Sequence, residues 1–102
     1  MFDIEGVARA IVESANFSKA RTECKIDIST CTAEQVKALF DSVIEKQTEY
    51  AVRIRGVRSD WSCFQKLGLK LETANSGSYK KIPIVLSPTI DFDSVEFVVE
   101  PA

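Results

Sequence analysis

Three arginines crowd one short stretch of the chain, Arg53, Arg55 and Arg58 in VRIRGVRS, and two lysines follow a tyrosine in another, Tyr79-Lys80-Lys81. Cations at this density suit an anionic surface, and the planar guanidinium fork matches a carboxylate or phosphate especially well. Tyr79 would add contact area at low entropic cost. These six residues form the candidate contact surface for another macromolecule. The first reading is another protein, bound by an adaptor, regulator or inhibitor. The second is nucleic acid at the same patch, with bases stacking on Tyr50, Trp61 or Phe64. A plainer reading makes the arginines the wet face of an antiparallel strand and places Trp61 in the core.

Other chemistries find less support. The chain has no His, the side chain most used for proton transfer near neutral pH and the commonest transition-metal ligand. Cys24, Cys31 and Cys63 form no C-x-x-C pair, so no zinc site is expected. Cys63 lies near Arg58 and Lys66 in sequence, but no partner base suggests a catalytic thiol. Asp91, Asp93 and Glu96 form D-x-D-x-x-E without the glycine and further ligands of an EF-hand loop, which reads as a solvated turn. The turn Gly56–Ser59 has one glycine and no Lys-Ser/Thr pair, so it is not a phosphate loop. The expectation is a protein without catalytic residues, metal or cofactor.

Length and composition bound the rest. A chain of 102 residues with 45% hydrophobic and 27% charged content fits one domain with one core. No apolar run approaches the roughly 20 residues that cross a bilayer, so no membrane partner is expected. An acidic N-terminal stretch without a basic leader argues against a secretory signal. With three cysteines read as reduced thiols, the expected compartment is the cytoplasm. Charge is segregated along the chain: residues 1–45 carry five basic and eight acidic side chains, residues 46–81 eight and three, residues 82–102 none and four. Such asymmetry steers partners.

Hydrophobic periodicity supplies the elements that must position these residues. Asp3 caps a helix with Ile4, Val7, Ala8, Ile11, Val12 and Ala15 on one face, followed by a polar connection to residue 22. Cys24, Ile26 and Ile28 alternate as a strand. Thr32 and Gln35 make a T-x-x-Q capping box for a second helix ending near Gln47. Tyr50, Val52 and Ile54 then alternate with the arginines in a strand that Gly56 breaks. Ser59 caps a short helix with Trp61, Phe64 and Leu67 in one stripe, and Gly68 stops it. Leu69 and Leu71 begin a further strand or helical turn. The segment TANSGS (73–78) reads as a flexible tip before a strand Tyr79–Ser87, which Pro83 confines to an edge or to a local irregularity. Val95, Phe97 and Val99 point inward from a last strand, with Val98 breaking the alternation. The expected fold is α+β, with two to three helices packed on one face of a four- to five-stranded, mainly antiparallel sheet. Residues 1–102 form one domain, 1–22 contributing the first helix and connection and 23–102 the sheet with its helices. An exposed sheet edge or the first helix could make a homodimer, and the pattern does not choose between monomer and dimer.

Overall fold

The computed structural model describes residues 2–102. Its first helix, α1 (Ile4–Ser18), starts where Asp3 Oδ1 accepts the Gly6 amide at 3.0 Å. Ala8, Ile11, Val12 and Ala15 are its buried stripe. The second, α2 (Ala33–Tyr50), begins in the expected capping box. Thr32 Oγ1 accepts from the Gln35 amide at 3.1 Å, and Gln35 Oε1 accepts from the Thr32 amide at 2.8 Å. A cap of this kind is worth about 1 kcal/mol.

The helix α2 runs three residues further than the sequence suggests and takes Tyr50 out of the strand. Nothing between Gln47 and Tyr50 stops a helix, since the segment holds neither Gly nor Pro. A single residue then makes the corner: Ala51 takes φ 53°, its amide bonds the carbonyls of Gln47 and Thr48, and β2 (Val52–Ser59) starts at once. Gln47 Oε1 also accepts the Ile54 amide at 2.9 Å, which ties the helix end to the strand it feeds.

The remaining elements are β1 (Thr22–Asp27), α3 (Trp61–Leu67), β3 (Ser76–Tyr79), β4 (Ile82–Leu86) and β5 (Ser94–Pro101). Three helices pack on an open five-stranded sheet of order β1-β5-β2-β4-β3, antiparallel throughout except between β2 and β4. The expected α+β fold is therefore observed. Val95, Phe97 and Val99 of β5 and Val52, Ile54 and Val57 of β2 meet Phe40, Leu39, Val36 and the α1 stripe in one continuous core. Phe40 lies at its centre, with ring centroids 4.9 Å from Phe97 and 5.7 Å from Tyr79. The opposite face of the sheet is left without a helix.

Several local expectations change. The TANSGS segment is not the hairpin tip, because Ser76, Gly77 and Ser78 are strand β3. Gly77 belongs there for a steric reason. A Cβ at this position would stand 2.7 Å from the Lys70 carbonyl oxygen and 3.1 Å from the Phe64 ring, so glycine lets the preceding chain pass close over the strand. The tip is Lys80-Lys81, where φ values of 48° and 73° give the doubly left-handed pattern of a two-residue hairpin turn. Leu69 and Leu71 lie in irregular chain. Strand β4 is interior, between β2 and β3, and Pro83 escapes the penalty of an interior strand because the ladder with β2 begins only at Val57↔Ile84. Asp60 rather than Ser59 caps α3, accepting the Ser62 amide at 3.2 Å.

Candidate functional site

Simple alternation along VRIRGVRS would send Arg58 to the same side as Ile54, because four residues separate them and Arg53 and Arg55 lie on the other side. The structure avoids this with a bulge. Ile54 pairs with Val99 and Gly56 with Val98, so Arg55 is the extra residue and the alternation restarts at Gly56. Val57 and Ser59 return to the core, and Arg53, Arg55 and Arg58 all stand exposed on the open face. Gly56 therefore does not end the strand; it sits within the bulge that re-aims the last arginine.

The arginines are not bare charges. Glu100 on β5 meets Arg55 at 3.1 Å and Arg53 at 3.3 Å. Partial burial works against the charge of Glu100, but the two guanidiniums outweigh it and hold its carboxyl below the usual carboxylate range. Arg58 bonds Glu23 at 2.8 Å and also pairs with Glu96. Each arginine keeps between 44% and 62% of its side chain in solvent, so donor capacity remains for an incoming acceptor. Beside them Arg21, Glu23, Arg55 and Arg58 ring an open depression of about 300 Å³ floored by Gly56, Pro83, Val85 and Val98. These floor residues were not among the candidates from the sequence. Their signals were present, in the broken alternation at Val98 and in a proline within an apolar run, but each read only as an irregularity.

Tyr79, Lys80 and Lys81 lie elsewhere. Tyr79 leans on Phe40 across the helix layer, and its hydroxyl donates to Asp41 of α2 at 2.9 Å. Lys80 bonds the same carboxylate at 2.8 Å. The Lys80 ammonium, more than the Tyr79 hydroxyl, holds the Asp41 carboxyl below its ordinary range, while burial and Asp41 push the Tyr79 hydroxyl up. This end of the basic set is a clasp between α2 and the β3–β4 hairpin, with Lys81 exposed at the tip. The six candidate residues thus divide into three arginines on the open sheet face and a hairpin group turned toward the helices.

Trp61 is 48% exposed rather than buried, its ring stacked on Phe64 at 5.5 Å and 12°. Cys63 behind it is fully buried, and burial pushes its thiol up to about 12, which opposes a thiolate nucleophile. In the acidic cluster, Asp91 pairs with Lys25 and Glu96 with Arg58. Asp93 instead takes φ 54° in the turn, and its amide donates to Asp60 Oδ2 at 2.7 Å. No helix of the described residues is long and apolar enough to cross a membrane. Compared with protein-family models, with curated proteins and with solved structures, the chain matches none.

Proposed function

We propose that the chain is a protein-binding module, an adaptor, regulator or inhibitor, whose open sheet face receives an acidic and partly apolar segment of another protein. The observation that supports this reading is the depression over Gly56, Pro83, Val85 and Val98, apolar below and ringed by Arg21, Arg55 and Arg58. An apolar floor holds an aliphatic or aromatic anchor, and the half-exposed guanidiniums complete a rim that fixes a carboxylate. The pairing of every β2 arginine with Glu23, Glu96 or Glu100 leaves little net positive charge on this face, enough for a single partner carboxylate but not for the run of phosphates along a nucleic-acid strand. No aromatic ring lines this depression, whereas single-stranded nucleic acids are held by stacking platforms. The three unbridged cysteines agree with a reducing, cytoplasmic setting.

The test is a pull-down from lysate of the source cells, with and without nuclease, using the wild type and an Arg53→Glu/Arg55→Glu variant. A protein that survives nuclease, and that the variant recovers at least tenfold less well while keeping its melting temperature within a few degrees, supports the proposal. Equal recovery by both proteins overturns it. Recovery that vanishes with nuclease gives the patch to nucleic acid instead.

A further inference from the structure

Strand β1 is an edge of the sheet, with β5 on one side only. Ile28 donates to the Asp93 carbonyl at 2.9 Å, and the register Thr22↔Val99, Cys24↔Phe97, Ile26↔Val95 continues that pair along the strand. Backbone groups alternate in direction along a strand, so the even-numbered residues bond β5 and the N–H and C=O of Glu23 and Lys25 point out of the sheet. No strand lies beyond them among the described residues. A strand edge of this kind is a template for another chain. Beta-bulges, prolines and covering segments protect many natural edges, but β1 has no proline and pairs with β5 without a register shift.

We infer that a second copy of this chain adds its β1 antiparallel to this edge about a two-fold axis through Cys24, joining the two sheets into one of ten strands. A two-fold axis that keeps both helix layers on one side requires like-faced residues to oppose each other, so the axis must pass beside a residue. About Cys24, Glu23 opposes Lys25 of the second copy and Arg21 opposes Asp27 of the second copy, each twice by symmetry. All four open-face pairs are then of opposite charge. Moving the axis to Glu23 sets Arg21 against Lys25 and Glu23 against itself; moving it to Lys25 sets Glu23 against Asp27 and Lys25 against itself. Opposed like charges destabilise such ladders and opposite ones stabilise them, so the sequence of alternating charges selects one register.

The helix layer carries the same message. Ser14 Oγ lies 3.1 Å from both Thr22 Oγ1 and Cys24 Sγ, which fixes the side of α1 that faces β1. Val7, Ala10 and Phe17 share that flank by helical spacing, and Phe17 is 92% exposed. Helix α1 packs over both β1 and β5. Helix α1 lies chiefly over β5, so with strands about 4.8 Å apart an axis beside β1 leaves the two α1 helices roughly 14 Å apart, with only long side chains on their β1 flanks reaching into the gap. Phe17, which a monomer leaves in water, then faces the second copy across that gap.

The register makes a positional test. Cys24 and its symmetry mate form a non-hydrogen-bonded pair, with Cα atoms about 4.5 Å apart, inside the range a disulfide spans. Sedimentation should show a dimer, and diamide should convert it to a covalent dimer by taking one hydrogen from each Cys24 thiol. Cys24→Ser should abolish the bridge while leaving the sedimenting dimer. Lys25→Pro removes an N–H that serves only the free edge, so it should give a monomer. Lys25→Glu, which sets Glu23 against a new carboxylate without touching the backbone, should do the same, with a lower melting temperature because it also breaks the Lys25–Asp91 pair and faces Glu96. A wild type that sediments as a monomer overturns the inference. So does a dimer that both Lys25 variants retain, or one that diamide does not bridge through Cys24.

Discussion

Ser59 shows how a single side chain in this fold can be out of agreement with its surroundings. The bulge that turns Arg58 outward turns Ser59 into the core, where it is 0% exposed and its hydroxyl has no hydrogen-bond partner. The Cys63 thiol lies close enough for that hydroxyl to favour its thiolate slightly, but burial dominates and the thiol stays protonated. The backbone at this position is well used, since the Ser59 carbonyl accepts the Ser87 amide at 2.9 Å. Only the side chain is unsatisfied, and an unpaired buried hydroxyl costs on the order of 1 kcal/mol. Ser59→Ala is therefore expected to raise the urea unfolding free energy by roughly 0.5–1 kcal/mol; a loss of stability would mean that the hydroxyl holds a bond after all. At this scale the sequence is a fair guide to type and a poor one to direction. Asp3, Thr32 and Gln35 announce their caps because capping is local chemistry. Ser59 does not announce its burial, because it depends on a one-residue slip in β2 that no pattern of period two contains, and Trp61 shares a helical stripe with buried Phe64 and Leu67 yet stands half-exposed as the first residue of α3.

Among the elements, those defined by their own residues were legible and those defined by a neighbour were not. The two long helices, the alternation in β1 and the inward face of β5 follow from periodicity alone. The β3–β4 hairpin does not, since its strand is SGSY and its turn is Lys80-Lys81, the reverse of ordinary turn chemistry. Both inversions have tertiary causes. Lys80 accepts a left-handed backbone while its ammonium is held by Asp41, and Gly77 makes room for the Lys70 carbonyl. The glycine supplies the sharper prediction. Its Cβ position lies 2.7 Å from backbone, which cannot swing aside as a side chain would. Gly77→Ala should cost about 1–3 kcal/mol by forcing β3 away from the chain above it. Gly56→Ala, whose Cβ would find only ordinary contacts at 3.4 and 3.5 Å with Pro83, should change stability little. Paired denaturation curves decide this: equal losses at both positions would refute the steric account of Gly77. The candidate site was legible to the same degree. Its arginines stood out by type, while the apolar floor between them is assembled from three strands and appears in no single stretch.

Across the whole molecule, carboxylates fasten the layers that hydrophobic packing brings together. Glu5 of α1 accepts from Ser42 and Lys46 of α2, at 2.9 and 2.7 Å. Asp41 of α2 holds the hairpin through Lys80 and Tyr79, and Glu100 joins β5 to Arg53 and Arg55 of β2. The Lys46 ammonium foremost lowers the Glu5 carboxyl, the Lys80 ammonium foremost lowers that of Asp41, and Arg55 and Arg53 overcome desolvation to lower that of Glu100. A group whose carboxyl is lowered on folding contributes stability that is complete above its unfolded value and is lost as pH falls through its folded one. The ordinary values here are 3.8 for Asp41 and 4.5 for the two glutamates. The urea midpoint should consequently hold steady from neutrality down to about pH 5 and then fall with each step toward pH 2. Asp41→Asn keeps an acceptor for the Tyr79 hydroxyl and cannot titrate. It should start from a lower midpoint at pH 7, since the Lys80 pair is lost, and then descend less steeply below pH 4. Parallel descents of wild type and variant would remove Asp41 from the set of acid-sensitive fasteners and leave Glu5 and Glu100 to account for the slope.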